Sequence, residues 1–143
     1  VTNTPDVLSD ATGEIALLLL LGAARRAVEG ERLVRSGEWD FWSPAFIVGK
    51  QVTDQRLGIV GMGRVGQVVA RNARGLNMDI HYHNQRRLPH ALEQDTTYHS
   101  TTESLLPFAD FLLLHCAATN KTTAIMNRDR LAAMLDGAVL INC

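Results

Sequence analysis

Apolar and polar positions fall into blocks along this chain, and the period within each block predicts an element. Residues 15–24 are almost all apolar, bracketed by Glu14 before them and Arg25-Arg26 after them. The run is too short to span a bilayer, and its positive charges follow the apolar segment where a secretory leader would carry them ahead of it. It therefore predicts a helix buried on most of its circumference. Ser9 or Asp10 is placed to cap that helix and Gly37 to stop it, so one long helix is expected to run to about Arg35. Ahead of it, Thr4-Pro5-Asp6 reads as a loop.

Residues 37–55 contain Trp39, Phe41, Trp42, Pro44 and Phe46 without helical or alternating period, as in an arm or loop that packs its aromatics somewhere. Leu57-Gly58-Ile59-Val60 then forms a short apolar run bounded by glycine, the pattern of a buried parallel strand. Val65, Val68, Val69, Ala73 and Leu76 recur at helical spacing, so a helix follows the strand directly and ends near Gly75 or Asn77. Further strands are predicted at residues 78–83, 96–99, 111–115 and 138–142, with a brief helix at 104–108 and another at 128–135. Strands alternating with helices argue for an α/β fold. The expectation is one domain over residues 1–143, a Rossmann-type doubly wound parallel sheet of about five strands preceded by a long N-terminal helix.

Composition narrows the function classes. The 143 residues suit a single core, and 46% hydrophobic with 20% charged residues is ordinary for a globular protein. A formal charge of -1 gives no reason to expect nucleic acid or an anionic membrane as partner. Cys116 and Cys143 lie far apart without metal-ligand spacing, which fits a reducing compartment and a cytoplasmic location. The lack of an initiating methionine and the abrupt end at Cys143 suggest a piece of a longer protein.

Gly61-Met62-Gly63-Arg64-Val65-Gly66 matches the G-x-G-x-x-G pattern, whose glycines permit a tight turn, approach of a diphosphate to the backbone, and close helix packing. The hexapeptide alone is weak; its place between a buried strand and an amphipathic helix is what points to a dinucleotide. About twenty residues on, an NAD site normally carries Asp or Glu for the ribose hydroxyls. Here stands His83-Asn84-Gln85-Arg86-Arg87. A carboxylate would repel a 2′-phosphate, whereas Asn84 can donate a hydrogen bond and an arginine can pair with the phosphate, each charge-assisted bond contributing about 1.5 to 3 kcal/mol. NADP(H) is therefore expected over NAD(H), the competing reading being a solvated arginine pair on a surface loop.

The segments Thr4 to Thr12, Glu14 to Arg26, Ser36-Gly37-Glu38-Trp39, Leu57 to Gly66, and Leu114-His115-Cys116 with Thr119 and Thr122 resemble the D-2-hydroxyacid dehydrogenases. Tyr82 to Arg87 and the aromatic arm look most like the glyoxylate/hydroxypyruvate reductase branch. The resemblance implies reduction of a small 2-oxo acid to the D-hydroxy acid by a nicotinamide cofactor. It implies cofactor contacts from Gly61, Gly63, Arg64, Val65 and Gly66 around the pyrophosphate, from Asn84, Arg86 and Arg87 at the adenosine end, from the strand-end backbone at Cys116 and Ala117, from Thr122, and from Cys143 near the nicotinamide. Ala117 stands where the family commonly has proline. The family's substrate-holding arginine and its glutamate–histidine acid/base pair would follow Cys143, so no catalytic residue is assigned and the chain alone is expected to be inactive. The resemblance also implies a homodimer formed through this domain, which favours the aromatic arm as an interface over plain core filler.

Other residues invite chemistry without supporting it. His115 at a strand end would need an orienting carboxylate to act as acid or base, so it is taken as structural or cofactor-lining. His81 and His83 alternate on one strand face and could chelate a metal, yet two ligands make a poor site, and a polar rim near the adenine is the better reading. Neither cysteine has a recognisable base partner. Two rivals keep a related fold: an NAD(H)-sensing corepressor of the same family, which would retain an acidic residue where Asn84 stands, and a methyltransferase-like domain, disfavoured by the full glycine spacing and the arginine pair.

Overall fold

A computed structural model describes residues 7–143, so the loop expected at Thr4-Pro5-Asp6 lies outside the described residues. The elements run α1 (Ser9–Ala24), α2 (Ala27–Ser36), β1 (Arg56–Val60), α3 (Arg64–Arg74), β2 (Asp79–His83), α4 (His90–Glu93), β3 (Thr96–His99), α5 (Thr102–Leu105) with a 3-10 turn at Leu106–Phe108, β4 (Phe111–Leu114), α6 (Arg128–Ala132) and β5 (Val139–Asn142). The five strands pair in parallel in the order β3-β2-β1-β4-β5. Moving outward from β1 in both directions, this is the doubly wound arrangement expected of a Rossmann-type sheet.

Strand pleating sorts the side chains to two cores. Leu57, Ile59, Ile80, Tyr82, Phe111, Leu113 and Ile141 face α1 and α3, where Ala16, Leu20, Val69 and Ala73 meet them with almost no exposure. Val60 and Leu112 face the other way, onto Leu105, Leu106 and Ala109. Each fully buried Leu, Ile or Phe contributes about 1.5–3 kcal/mol, so these two layers carry the fold. Gly58 lets the second layer close, because a Cβ there would lie 2.8 Å from the Ala109 methyl.

The N-terminal segment departs from the sequence expectation in three ways. The single helix is two, broken at Arg25-Arg26, where Arg26 takes a left-handed φ of 54°. Leu8 holds the N-cap position with no side-chain cap bond, and Asp10 pairs instead with Arg71 of α3 at 2.8 Å. Finally, α1 is not buried around most of its circumference. Only the stripe Gly13, Ala16, Leu20 and Ala24 is, because Gly13 at its head lets α3 approach closely and Leu20 fills the core, while Ile15, Leu18, Leu19 and Leu21 remain exposed. Gly13 shows the closeness: a Cβ there would sit 2.6 Å from Val68 Cγ1. Among the described residues, no helix is long and apolar enough to cross a membrane.

Candidate dinucleotide-binding site

At the carboxyl edge of the sheet, β1 ends in Gly61, whose φ of 103° turns the chain sharply. Its N–H donates to the His83 carbonyl at the end of β2, and a Cβ there would lie 2.5 Å from the Cys116 nitrogen. Gly66 serves packing: a Cβ would lie 2.4 Å from the Gly61 carbonyl oxygen, so α3 could not close onto the turn. Gly63 is different. Its φ is -78°, ordinary for any residue, and a Cβ would meet nothing within 4 Å. Its missing side chain therefore serves neither strain nor protein packing, and leaves open the space in front of the α3 N-terminus. The opening turn of a helix lacks intrahelical partners for its first N–H groups and carries a partial positive charge, which suits a diphosphate.

That space belongs to a cleft of about 780 Å³ lined by Val60, Gly61, Gly63, His83, Asn84, Gln85, Arg86, Thr102, His115, Cys116, Ala117, Thr119, Lys121, Thr122, Ile125 and Arg130. Two smaller grooves elsewhere measure about 190 and 320 Å³, so the glycine turn opens on much the larger space. Parallel strands bring their carboxyl ends to one edge, which is why residues so far apart in sequence meet here.

Of the residues singled out in the sequence, Gly61, Gly63, Asn84, Arg86, Cys116, Ala117 and Thr122 line the cleft. Asn84 Oδ1 accepts from the Met62 N–H at 2.7 Å, so one end of the amide closes the turn and the NH₂ end remains as a donor. Thr122 Oγ1 donates to the Ala117 carbonyl and accepts from the Thr119 N–H, ordering the loop after β4. Arg64, Val65 and Gly66 form the opening turn of α3, with Val65 packed against the core, and none of their side chains lines the cleft. Cys143 also lies outside the lining; burial raises its thiol above the ordinary value, and the sulfur sits 4.0 Å from His115 Nδ1.

Arg86 and Arg87, treated together in the sequence, are separated by the structure. Arg86 lines the cleft, whereas Arg87 is bonded through Nε and NH2 to the buried Glu93 at 2.7 and 3.0 Å. Tyr82 Oη donates to the same carboxylate and accepts from the Leu88 N–H. The Arg87 guanidinium, followed by the Tyr82 hydroxyl, holds the Glu93 carboxyl below its ordinary value. Burial, then the Glu93 bond, pushes the Tyr82 phenol up to about 12. Arg87 thus latches the segment after β2 to α4.

His115 lines the cleft with Nε2 buried and without a hydrogen-bond partner among the described residues, and burial holds the ring below the ordinary imidazole value. No carboxylate is bonded to it there. His81 is engaged on both ring nitrogens, by Asp79 and by His99, and among the described residues no group of three or more His, Cys, Asp or Glu is arranged to hold a metal. Sequence reasoning missed Thr102, Lys121, Ile125 and Arg130. A usable signal existed for Thr102 and Arg130: residues in the opening turn of a helix that follows a parallel strand lie at this same edge.

A doubly wound sheet with an open glycine turn at its carboxyl edge defines a dinucleotide-binding domain. Residues 17–143 match the family described as D-isomer specific 2-hydroxyacid dehydrogenase, NAD binding domain, and the chain belongs to that family. It is 42% identical to a glyoxylate reductase of Pyrococcus horikoshii and 38% identical to a glycerate dehydrogenase of Hyphomicrobium methylovorum, in each case over 99% of this chain. It also superposes with a TM-score of 0.95, at 49% identity over 97% of its length, on a solved Polaromonas sp. JS6 66 protein provisionally assigned as an NAD-binding D-isomer specific 2-hydroxyacid dehydrogenase. The chain spans 44–45% of the length of these three relatives.

Proposed function

We propose that this chain is the cofactor-binding part of an NADP(H)-preferring enzyme that reduces a small 2-oxo acid, such as glyoxylate or hydroxypyruvate, to its D-2-hydroxy acid. The observation that carries the reading is Gly63, whose missing Cβ faces open space at the head of α3. The diphosphate would lie against the turn at residues 61–66, the adenosine end beside Asn84 and Arg86, and the nicotinamide end toward Cys116, Ala117 and Thr122. A bound nicotinamide supplies the hydride; this chain's own part is to orient it and to keep water from the faces that the cleft covers.

The preference for NADP(H) is supported by the Asn84 amide, which keeps the turn-closing acceptor of a carboxylate while replacing its second negative oxygen by a donor. Of the two arginines after β2, Arg86 is the one that lines the cleft beside Asn84 and is open to a 2′-phosphate, since Arg87 is committed to Glu93. With no carboxylate bonded to His115 among the described residues, the chain is proposed to bind cofactor without reducing the acid by itself. The exposed Trp39, Phe41 and Trp42 support a homodimer formed through this arm. Deleting residues 38–46 is expected to give a monomer, and an unchanged dimeric mass in solution would refute the arm's role.

Equilibrium titration with NADPH and NADH tests the main reading. NADPH is expected to bind about ten- to a hundredfold more tightly, the contribution of one charge-assisted phosphate contact. Tighter NADH binding would reverse the cofactor choice, and no binding of either would defeat the proposal.

A further inference from the structure

On the sheet face opposite α1 and α3, β2 and β3 carry three linked histidines. His81 Nε2 lies 3.0 Å from Asp79 Oδ2, and His81 Nδ1 lies 2.9 Å from His99 Nε2. His83 Nδ1 lies 2.9 Å from the His99 carbonyl oxygen, and His83 lines the cleft. The Phe108 ring covers the pair, its centroid 5.6 Å from that of His81 and 5.3 Å from that of His99. Side-chain hydrogen bonds thus join Asp79, His81 and the His99 ring, and the main chain of His99 anchors His83 at the cleft.

Each bond dictates where a hydrogen sits. A carbonyl can only accept, so His83 Nδ1 carries a hydrogen and its Nε2 keeps the lone pair. An ionised Asp79 likewise accepts, so His81 Nε2 carries a hydrogen, and a neutral His81 then accepts at Nδ1 from His99 Nε2–H. One added proton on the pair fits: the two facing nitrogens then share a single hydrogen, and each ring carries its other hydrogen on its outer nitrogen. A second added proton does not fit, because two cationic rings would then face each other donor to donor at 2.9 Å.

Against that repulsion, a main-chain bond at Ser104 of α5 favours a charged His99 ring, but the charged neighbours offer little more. Arg56 of β1 lies near Asp79, His83 adds a third ring, and Glu103 of α5 is already bonded to Arg130 of α6. Asp79 is the one carboxylate bonded to the pair among the described residues. Burial, followed by the charge of His81, holds the His99 ring below the ordinary imidazole value.

We propose that the Asp79–His81–His99 chain is a proton-sensitive clamp that fastens edge strand β3 to β2 and thereby positions His83 at the adenosine end of the cleft. With both rings charged, the clamp opens, His83 loses its carbonyl anchor, and cofactor affinity falls. His99 acts here as a positioning residue. The inference rests on the cofactor-binding reading given above.

NAD⁺ is the suitable probe, since its diphosphate stays ionised and it has no 2′-phosphate to titrate. Calorimetric titration from about pH 8 to about pH 5 is expected to show affinity falling by about tenfold or more, the equivalent of one pKa unit of linkage. His99→Gln keeps an Nε2 donor for His81 and cannot be charged there; its affinity at neutral pH is expected within about twofold of wild type and its pH curve flat. Should that variant fail to fold, Asp79→Asn, at a largely exposed position, is expected to move the fall to lower pH. A flat wild-type curve, or variants that retrace the wild-type fall, would overturn the clamp. Failure of both NAD⁺ and NADP⁺ to bind the wild type at any pH would instead overturn the cofactor reading, and the clamp with it.

Discussion

At the amino edge of the sheet, Asp110 accepts three hydrogen bonds from Arg56, one from its main-chain N–H and two from its guanidinium. Lys50 Nζ donates to the carbonyls of Asp110 and Gly137, closing the entrances of β4 and β5. At the carboxyl edge the same strands run out into Gly61, His83 and His115, beside a cleft, and His115 Nε2 finds no partner among the described residues. Polar groups satisfied within the chain read as stability, and polar groups aimed into open space read as binding. The two edges are therefore expected to respond to substitution in opposite ways.

The largest effect is expected at the closed edge. Asp110→Ala removes the acceptor of all three Arg56 bonds while Lys50 keeps its two main-chain carbonyls, and it should lower unfolding free energy by about 3 kcal/mol, read by urea denaturation, while the folded protein keeps its cofactor affinity. Loss of affinity without loss of stability would show that the edges are not separable in this way.

At the open edge the pattern should invert. Gly63→Val places a side chain where the protein offers no contact, so stability is expected to change by less than about 1 kcal/mol, the scale of an N-cap replacement. Binding should weaken about a hundredfold, since a branched Cβ fills the diphosphate position. A variant that binds normally by calorimetry would remove the turn from the site.

The paired arginines carry the same contrast to within four residues of the end of β2. Arg86→Ala is expected to cost NADPH about tenfold in affinity and to leave NADH unchanged. Arg87→Ala should leave that discrimination intact and lower the melting temperature, because it leaves the buried Glu93 carboxylate without its cation. Equal effects of both variants on NADPH would contradict the assignment.

The smallest effect concerns acid. His99 and His115 both have imidazoles held low by burial, so the unfolded chain takes up protons before the folded one does. Their contribution is complete above the ordinary imidazole value of about 6.5 and is lost as pH falls below it. Urea midpoints are expected to decline from about pH 7.5 to about pH 5.5, and less steeply for His115→Asn.

What the sequence disclosed follows from which forces are local. The glycine turn, the strand runs and the helix after residue 63 rest on backbone geometry and near-neighbour periodicity, and they appear in the structure where the pattern puts them. The break between α1 and α2 rests on a contact from far along the chain. Lys50 N–H donates to the Ala24 carbonyl, and Gly49 packs so closely that a Cβ would lie 2.3 Å from the same oxygen. No local period encodes that approach. Likewise the difference between Arg86 and Arg87 depends on Glu93, buried by the short helix α4, which the sequence pattern did not reveal. Exposure of Leu18 on an apolar helix was illegible for a related reason, since period reports which residues can be buried and only packing decides which are.

Whether the amides opening α3 receive a diphosphate is read by a proton–nitrogen NMR titration of the chain with NADP⁺, following every backbone amide to saturation. The largest shifts are expected within residues 61–66, followed by Asn84 and Arg86, with Arg56 and Asp110 at the opposite edge unmoved. Saturable binding whose largest shifts lie elsewhere, or no binding at all, would contradict it.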